Sequence, residues 1–217
     1  MVRKLILFVL FVAFSCSVVA SKKYCSPTGS DANSGTFAAP WLTVYKASTS
    51  AVSGDSIMFA SGHYYETHLC QFNTGVSLIG EGKALTFIHC LFASNMTLNF
   101  SSSSLTNGNQ TIAHISFSGD NLTGFKCISI NQRNNVKIHN CDFKDFNYNA
   151  VEFIAGTPAA TYATGNEFYE NTMTNCSQFN AGGSPGFVYL TSQSGFLFHH
   201  NKLTLTKRGT IASGFGL

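Results

Sequence analysis

The stretch Ile138-His-Asn-Cys-Asp-Phe143 decides the fold, because four related segments stand elsewhere in this chain of 217 residues. The related segments are Phe87-Ile-His-Cys-Leu-Phe92, Ile112-Ala-His-Ile-Ser-Phe117, Ala163-Thr-Gly-Asn-Glu-Phe168 and Phe198-His-His-Asn-Lys-Leu203. Their final apolar residues follow one another at steps of 25, 26, 25 and 35 residues. Self-similarity at a nearly constant period of this size is typical of a repeat protein.

Each repeat contains short strands whose apolar residues lie two positions apart. A second apolar strand follows most core segments, for example Ile128-Ser-Ile130 and Val151-Glu-Phe153. About 25 residues built in this way close one coil of a parallel β-solenoid, in which successive coils stack about 4.8 Å apart. The pattern therefore predicts an all-β parallel solenoid, and an antiparallel sandwich with accidental spacing is the alternative.

Stacking of the coils would place equivalent residues in inward-facing columns. The repeat predicts two such columns: Phe92, Phe117, Phe143 and Phe168 in one, and Cys141, Asn166 and Asn201 in the other. An inward asparagine can hydrogen-bond to the coils above and below, so burial need not leave its amide unpaired.

Charged residues are scarce, at 11% of the chain against about 25% in an ordinary soluble domain. The net charge of +3 gives no support to nucleic acid as the main partner. Aromatic residues reach 13%, which excludes intrinsic disorder. The composition favours a β-rich domain whose surface is polar through Ser, Thr and Asn.

Residues 1–20 read as a signal peptide. Arg3 and Lys4 precede an apolar run, and the small residues Val18 and Ala20 permit cleavage before Ser21. The run is too short to span a bilayer stably. We therefore expect a secreted, extracellular protein with no membrane association after cleavage, while a lipid anchor at Cys16 is the alternative.

Six cysteines follow the leader, and an even number permits three disulfide bonds in an oxidising compartment. No Cys or His spacing indicates a zinc site.

Residues 21–82 are predicted to form an N-terminal cap and the first coil. Within Pro40–Ala51, the residues Trp41, Val44, Tyr45 and Ser48 have helical spacing, and Pro40 suits a first turn. A solenoid needs its open end covered, which a short amphipathic helix achieves.

Residues 83–217 are predicted to form the coils. No amphipathic cap follows the last one, so we expect either a truncated chain or a partner chain over that end.

The cap region resembles a known family. Tyr24-Cys-Ser-Pro-Thr-Gly-Ser-Asp-Ala-Asn-Ser-Gly-Thr36, Ala39-Pro-Trp-Leu-Thr43, Gly54-Asp-Ser-Ile57, Gly62-His-Tyr64 and Gly75-Val-Ser-Leu-Ile-Gly80 are similar to the N-terminal region of pectin-lyase-like proteins. The resemblance implies a secreted right-handed single-stranded parallel β-helix, often acting on acidic polysaccharide. The catalytic signatures of polygalacturonases, pectate lyases and pectinesterases are absent, so no catalytic residue is carried over.

The repeat also predicts outward carboxylate pairs. Asp142 and Glu167 lie 25 residues apart, as do Asp145 and Glu170, so each pair would meet on adjacent coils. Two carboxylates so close would raise one pKa, bind Ca²⁺ or flank a glycosidic bond. A solvated charge ladder is the alternative.

Substrate-binding candidates lie on the same predicted face: Lys144, Tyr169 and Lys202. Calcium would bridge a uronate carboxylate, a basic side chain would take the acidified C5 proton, and Tyr169 could stack on a sugar ring. His89, His114 and His200 hold corresponding positions but are predicted to be turn residues. The segment between Tyr169 and Phe187 is predicted to be a long turn that builds a binding groove or a plain surface excursion.

Two functions remain open from the sequence. The first is a lyase or epimerase of acidic polysaccharide, and the second is a non-catalytic solenoid for adhesion or glycan binding.

Overall fold

The computed structural model describes residues 21–121, 123–158, 161–176 and 186–204. The predicted signal peptide and the expected uncapped end lie outside these residues. No helix within them is long and apolar enough to cross a membrane.

The described chain contains one helix, α1 (Val44–Ser50), and eighteen short or bent strands. The strands are β1 (Lys22–Cys25), β2 (Ser56–Phe59), β3 (Gly62–Glu66), β4 (Cys70–Gln71), β5 (Ser77–Gly80), β6 (Thr86–Cys90), β7 (Met96–Ala113), β8 (Ser116–Ser118), β9 (Lys126–His139), β10 (Asp142–Lys144), β11 (Val151–Ile154), β12 (Ala163–Thr164), β13 (Glu167–Tyr169), β14 (Thr172–Thr174), β15 (Val188–Thr191), β16 (Gln193–Ser194), β17 (Leu197–His199) and β18 (Lys202–Thr204).

The strands form three parallel sheets. Sheet I follows the order β1-β2-β5-β7-β9-β11-β15, with β4, β13 and β17 attached, and sheet II follows β3-β6-β8-β10-β14-β18. Sheet III pairs β12 with β16. The long strands β7 and β9 turn a corner, because β9 pairs with β11 at one end and with β13 at the other. This is the predicted right-handed parallel β-helix, and the parallel pairing excludes the antiparallel sandwich.

Apolar residues of successive coils stack in columns, as predicted. Sheet II contributes one column, consisting of Tyr64, Ile88, Phe117, Phe143, Met173 and Leu203. Sheet I contributes another, consisting of Ile57, Leu78, Ile112, Ile138, Phe168 and Phe198. Nearly all of these side chains are buried, and burial of such columns supplies the main stabilising free energy.

The predicted register was wrong in the later coils. Phe143 lies beside Met173, not beside Phe168, so the steps from Phe117 are 26, 30 and 30 residues. Both Ala163-Thr-Gly-Asn-Glu-Phe168 and Phe168-Tyr-Glu-Asn-Thr-Met173 begin and end with an apolar residue and carry Asn in fourth place. An assumed period of 25 residues selected the wrong one. The first coil also differs, because Ile88 occupies the place predicted for Phe92.

Buried asparagines tie the coils together as predicted, with Asn171 in the place given to Asn166. Asn171 Oδ1 accepts from the Cys141 amide at 2.9 Å, and its Nδ2 donates to the Ile138 carbonyl at 2.9 Å. Asn201 repeats this pattern one coil later, accepting from the Asn171 amide at 3.0 Å. Asn166 binds the preceding coil in the same manner, at the Val136 amide.

Arg133 is buried at the corner within β9. Its exposed fraction is 2%, and no carboxylate contacts it within the described chain. The guanidinium instead donates to five oxygens on neighbouring segments: the Phe72, Asn73 and Ser101 carbonyls, Gln110 Oε1 and Ser102 Oγ. Burial lowers the pKa of Arg133 to about 10.

The helix covers the first coils but starts later than predicted. Trp41 lies in extended backbone beside Cys25, so Pro40 is outside the helix. Asp31 Oδ1 accepts from the amides of Leu42 and Thr43, and Thr43 then caps the helix by accepting from the Lys46 amide. Val44 and Ala47 join the core.

All six cysteines of the described chain are free and buried, so the three permitted disulfide bonds are not formed in this structure. Cys90 Sγ and Cys127 Sγ lie 3.5 Å apart, which is van der Waals contact. Burial raises the pKa of the Cys141 and Cys176 thiols to about 12.

Candidate functional site

The outer surface of sheet II carries the densest set of chemically useful side chains on the described chain. Alternation along each strand sends every second residue outward. We call the outward set the sheet II face; it consists of His63, Tyr65, Phe87, His89, Ser116, Ser118, Asp142, Lys144, Thr172, Thr174, Lys202 and Thr204.

Aromatic rings fill one half of this face. Tyr65 stacks on His89, with ring centroids 4.4 Å apart, and His63 stacks on Phe87 at 4.7 Å. The strand pairing itself makes these stacks, because His63 lies opposite Phe87 and Tyr65 lies opposite His89. Tyr65 is 63% exposed and therefore offers an aromatic surface to solvent.

A chain of hydrogen bonds links the two histidines to a carboxylate. His89 Nδ1 lies 2.6 Å from Asp120 Oδ1, and His89 Nε2 lies 2.9 Å from His63 Nδ1. Ser118 Oγ donates to the same Asp120 oxygen at 2.7 Å. Asp120 occupies the turn after β8 with a φ of 43°, which directs it towards the β6 side of the face.

This chain fixes the protons of both rings. An ionised carboxylate only accepts hydrogen bonds, so His89 Nδ1 carries a proton. In neutral His89 the Nε2 atom then accepts, and His63 Nδ1 donates to it. The lone pair of His63 therefore lies on Nε2, in an exposed side chain. An imidazole oriented by a second group in this manner is the usual arrangement of a general base.

Cations and hydroxyl groups fill the other half of the face. Lys144 is exposed and lies 3.6 Å from Asp145 Oδ2, while Lys202 has no ion-pair partner among the described residues. Lys83 reaches across from the loop before β6 and binds Asp142 Oδ1 at 2.9 Å. Serine and threonine hydroxyls lie between the lysines, so this half suits a ligand with carboxylate and hydroxyl groups.

The structure separates the predicted carboxylate pairs. Asp142 lies between Ser116 and Thr172 on sheet II, whereas Glu167 lies on β13 of sheet I, in an ion pair with Lys137 at 2.9 Å. Glu167 also raises the pKa of Lys137, chiefly through their hydrogen bond. Asp142 and Lys202 do share a column, as predicted, with Thr172 between them.

Asp145 and Glu170 occupy turns and do not meet either. Asp145 follows β10 with a φ of 60° and accepts from Asn175 Nδ2 at 3.0 Å. Glu170 lies in the turn between β13 and β14 with a φ of 55°. The 25-residue register that placed them together is the error described above.

The four carboxylates therefore do not fit a common calcium site. Two of them already bind lysines, and no group of three or more His, Cys, Asp or Glu in the described ranges is arranged to hold a metal ion.

Tyr169 does not lie on the sheet II face, contrary to the sequence prediction. It projects from sheet I and is sandwiched between His139, at 4.8 Å, and His199, at 5.0 Å. Both faces of its ring are thus covered, so Tyr169 cannot stack on a sugar ring.

The three histidines at corresponding sequence positions have different surroundings. His114 and His200 are turn residues, as predicted, with φ values of 61° and 53°. His89 is a strand residue, contrary to the prediction, and belongs to the hydrogen-bonded chain. The predicted long turn after Tyr169 is also interrupted, because it contains strand β14; residues 177–185 of it lie outside the described chain.

Sequence reasoning missed the aromatic half of the face. The signal was present in two segments with the same alternation, His63-Tyr-Tyr65 and Phe87-Ile-His89, each placing two rings outward around one buried residue. Their pairing became visible only with the register of β3 on β6.

A family model described as a protein of unknown function, DUF1565, matches residues 27–215. The chain belongs to this family. The match covers most of the β-helix but brings no activity to the DUF1565 chain. No curated protein matches it.

Solved structures similar to the DUF1565 chain include two lyases. A rhamnogalacturonan lyase has a TM-score of 0.61 at 16% identity, covering 85% of this chain and 51% of that one. The alginate lyase from Paenibacillus sp. str. FPU-7 has a TM-score of 0.59 at 13% identity, covering 84% of this chain and 58% of that one.

A third structure is the GH136 lacto-N-biosidase from Eubacterium ramulus, with a TM-score of 0.53 at 11% identity, covering 84% of this chain and 40% of that one. At these identities the likeness shows the fold alone. The DUF1565 chain spans about half the length of these structures.

Proposed function

We propose that this protein binds an extended acidic polysaccharide along the sheet II face and cleaves it by β-elimination. The observation that carries the proposal is the hydrogen-bonded chain from Asp120 through His89 to His63, beside the exposed ring of Tyr65. The two polysaccharide lyases among the similar structures support this class of reaction.

The face matches the chemistry of a sugar chain. The ring of Tyr65 suits the apolar C–H surface of a pyranose, and the serine and threonine hydroxyls suit its hydroxyl groups. Six strands at about 4.8 Å spacing give a track of about 24 Å, long enough for several sugar units.

The charges on the face favour an acidic ligand. Lys144 and Lys202 point outward, and Lys83 neutralises Asp142, so the lysine half presents positive charge. A uronate carboxylate would pair with these ammonium groups, whereas a neutral glycan would leave them unused.

His63 supplies the base for β-elimination. Its Nε2 takes the C5 proton of a uronate unit, and the electrons of the C5–H bond form the C4–C5 double bond. The C4–O bond breaks, and its oxygen leaves with a proton from solvent. An epimerase would share the first step and return a proton to the opposite side of C5, so it is the second candidate.

Incubation of the protein with pectate or alginate tests the proposal, because β-elimination gives unsaturated products that absorb ultraviolet light. We expect absorbance to rise with the parent protein and to be lost in His63→Gln. The matched control is His200→Gln, an exposed turn histidine on another part of the coil.

The other outcomes are informative. Absorbance that survives in His63→Gln would contradict the assignment of the base. Retained binding without product would favour a non-catalytic glycan-binding solenoid, and an epimerase would be recognised by NMR analysis of the recovered polymer.

A further inference from the structure

Asp55 is a buried carboxylate without a basic side chain to balance it. Three carboxylate residues of the described chain are almost fully buried: Asp55 at 0%, Glu66 at 2% and Glu152 at 3% exposed. Glu66 is paired with His68 and Glu152 with Lys126, but no ion pair between described residues includes Asp55. Burying an unpaired carboxylate is costly, so a cation at this position would be strongly favoured.

The groups around Asp55 point to the source of that cation. Asp55 Oδ1 accepts from the backbone nitrogen of Ser21 at 3.0 Å and from Ser21 Oγ at 2.9 Å. Its Oδ2 accepts from the Val52 amide at 3.0 Å. Ser21 is also anchored through its carbonyl, which accepts from the Ser56 amide at 2.9 Å.

Ser21 is also the residue at which the sequence predicts signal-peptide cleavage. The basic residues Arg3 and Lys4, the apolar run after them and the small residues Val18 and Ala20 select the Ala20–Ser21 bond. The burial of Asp55 and the leader pattern are independent observations, and both single out the nitrogen of Ser21.

We propose that cleavage before Ser21 creates the missing cation and that the new α-ammonium group of Ser21 forms a buried ion pair with Asp55. A signal peptidase adds water across the Ala20–Ser21 bond, leaving a carboxylate on Ala20 and an ammonium group on Ser21. The uncleaved chain offers Asp55 one neutral N–H at this atom. The cleaved chain offers a charged donor with three protons, which makes a stronger hydrogen bond.

The ion pair would couple export to completion of the fold. Strand β1 begins next to Ser21 and pairs with β2, directly after Asp55. An ammonium group on Asp55 would therefore hold the first strand against the first coil. The inference rests on the export expectation and is independent of the proposed polysaccharide chemistry.

The test compares chains that differ only at the N-terminus. One begins at Ser21 and the other at Val19, each released from a fusion by a protease that leaves no extra residue. We expect the unfolding equilibrium constant of the Ser21 form, from urea denaturation, to be about tenfold smaller or less. In an Asp55→Asn background, the two N-termini should give equal stability.

Chemical acetylation of the Ser21 amine provides a second measurement if Asp55→Asn does not fold. Acetylation removes the charge and keeps an N–H donor, so the acetylated protein should resemble the Val19 form. Equal stability of the two N-termini with Asp55 present would overturn the ion pair, as would a difference that persists in Asp55→Asn.

The mass of the protein exported from its native precursor tests the cleavage site directly. A mature chain that begins at any residue other than Ser21 would overturn the processing step.

Discussion

His89 Nδ1 lies 2.6 Å from Asp120 Oδ1, so a turn of one coil orients a ring on the neighbouring coil. The second nitrogen of that ring lies 2.9 Å from His63, and the whole chain follows from the pairing of β3, β6 and β8. The solenoid thus positions a base through contacts between coils, which is possible only where the register is fixed.

Replacement of Asp120 by Asn should impair catalysis while leaving glycan binding intact. An amide can donate to His89 Nδ1, so the ring would favour the opposite tautomer and the lone pair of His63 Nε2 would no longer be fixed. We expect turnover to fall about 100-fold or more, measured as initial rates of ultraviolet absorbance, with the binding constant changed by less than about threefold. Equal losses of turnover and affinity would contradict this role.

Removal of the Tyr65 ring should weaken binding of acidic oligosaccharide by about tenfold, corresponding to about 1.4 kcal/mol. Tyr65→Ala removes the exposed ring of the face, and isothermal titration calorimetry reports the change. The control is Tyr189→Ala, since Tyr189 is 40% exposed on sheet I, away from this face. Similar losses in both variants would show that the sheet II face is not selective.

Removal of the Asn171 amide should destabilise the coils. In Asn171→Ala the Cys141 amide and the Ile138 carbonyl lose their buried partner, which costs about 2–4 kcal/mol in free energy of unfolding. Urea denaturation measures the loss, and Asn95→Ala, at an exposed turn asparagine, should change it by less than about 1 kcal/mol. A small effect at Asn171 would argue against the observed register.

Arg133 should not tolerate lysine. The five oxygens around its guanidinium need a planar group with several donors, and an ammonium group on a shorter, flexible chain cannot reach them all. We expect Arg133→Lys to lose about 2–4 kcal/mol of unfolding free energy. Lys22→Arg, at an exposed position, is the control and should be neutral.

The thiols should be unreactive in the folded protein. Burial raises the pKa of Cys141 and Cys176 to about 12, so the reactive thiolate is scarce at neutral pH and becomes available only on unfolding. Alkylation with iodoacetamide followed by mass spectrometry should show no label on the native chain and six labels after denaturation without reductant. Fewer labels on the denatured chain would reveal disulfide bonds.

The fold was predictable because the repeat of apolar residues is a direct consequence of coil stacking. Phe117, Phe143 and Leu203 were placed correctly in one column from sequence alone. The error at Phe168 arose because two overlapping segments fit the same pattern, and coil length varies where the segment after β11 is extended.

The candidate site was less predictable because it depends on which outward residues face one another. Lys144, Lys202 and Asp142 were placed correctly on one face, but Glu167 and Tyr169 were assigned to it through the wrong register. The approach of Asp120 to His89 depends on a left-handed turn residue, which no periodicity reveals.

Assignment of the sheet II face as the glycan-binding surface is tested most directly by NMR. We would titrate isotope-labelled protein with an acidic oligosaccharide from pectate or alginate and follow the backbone amide signals. The account predicts that the largest shifts fall on Tyr65, His89, Lys144 and their neighbours, with little change at Tyr189. Shifts confined to sheet I, or no shifts at saturating oligosaccharide, would contradict it.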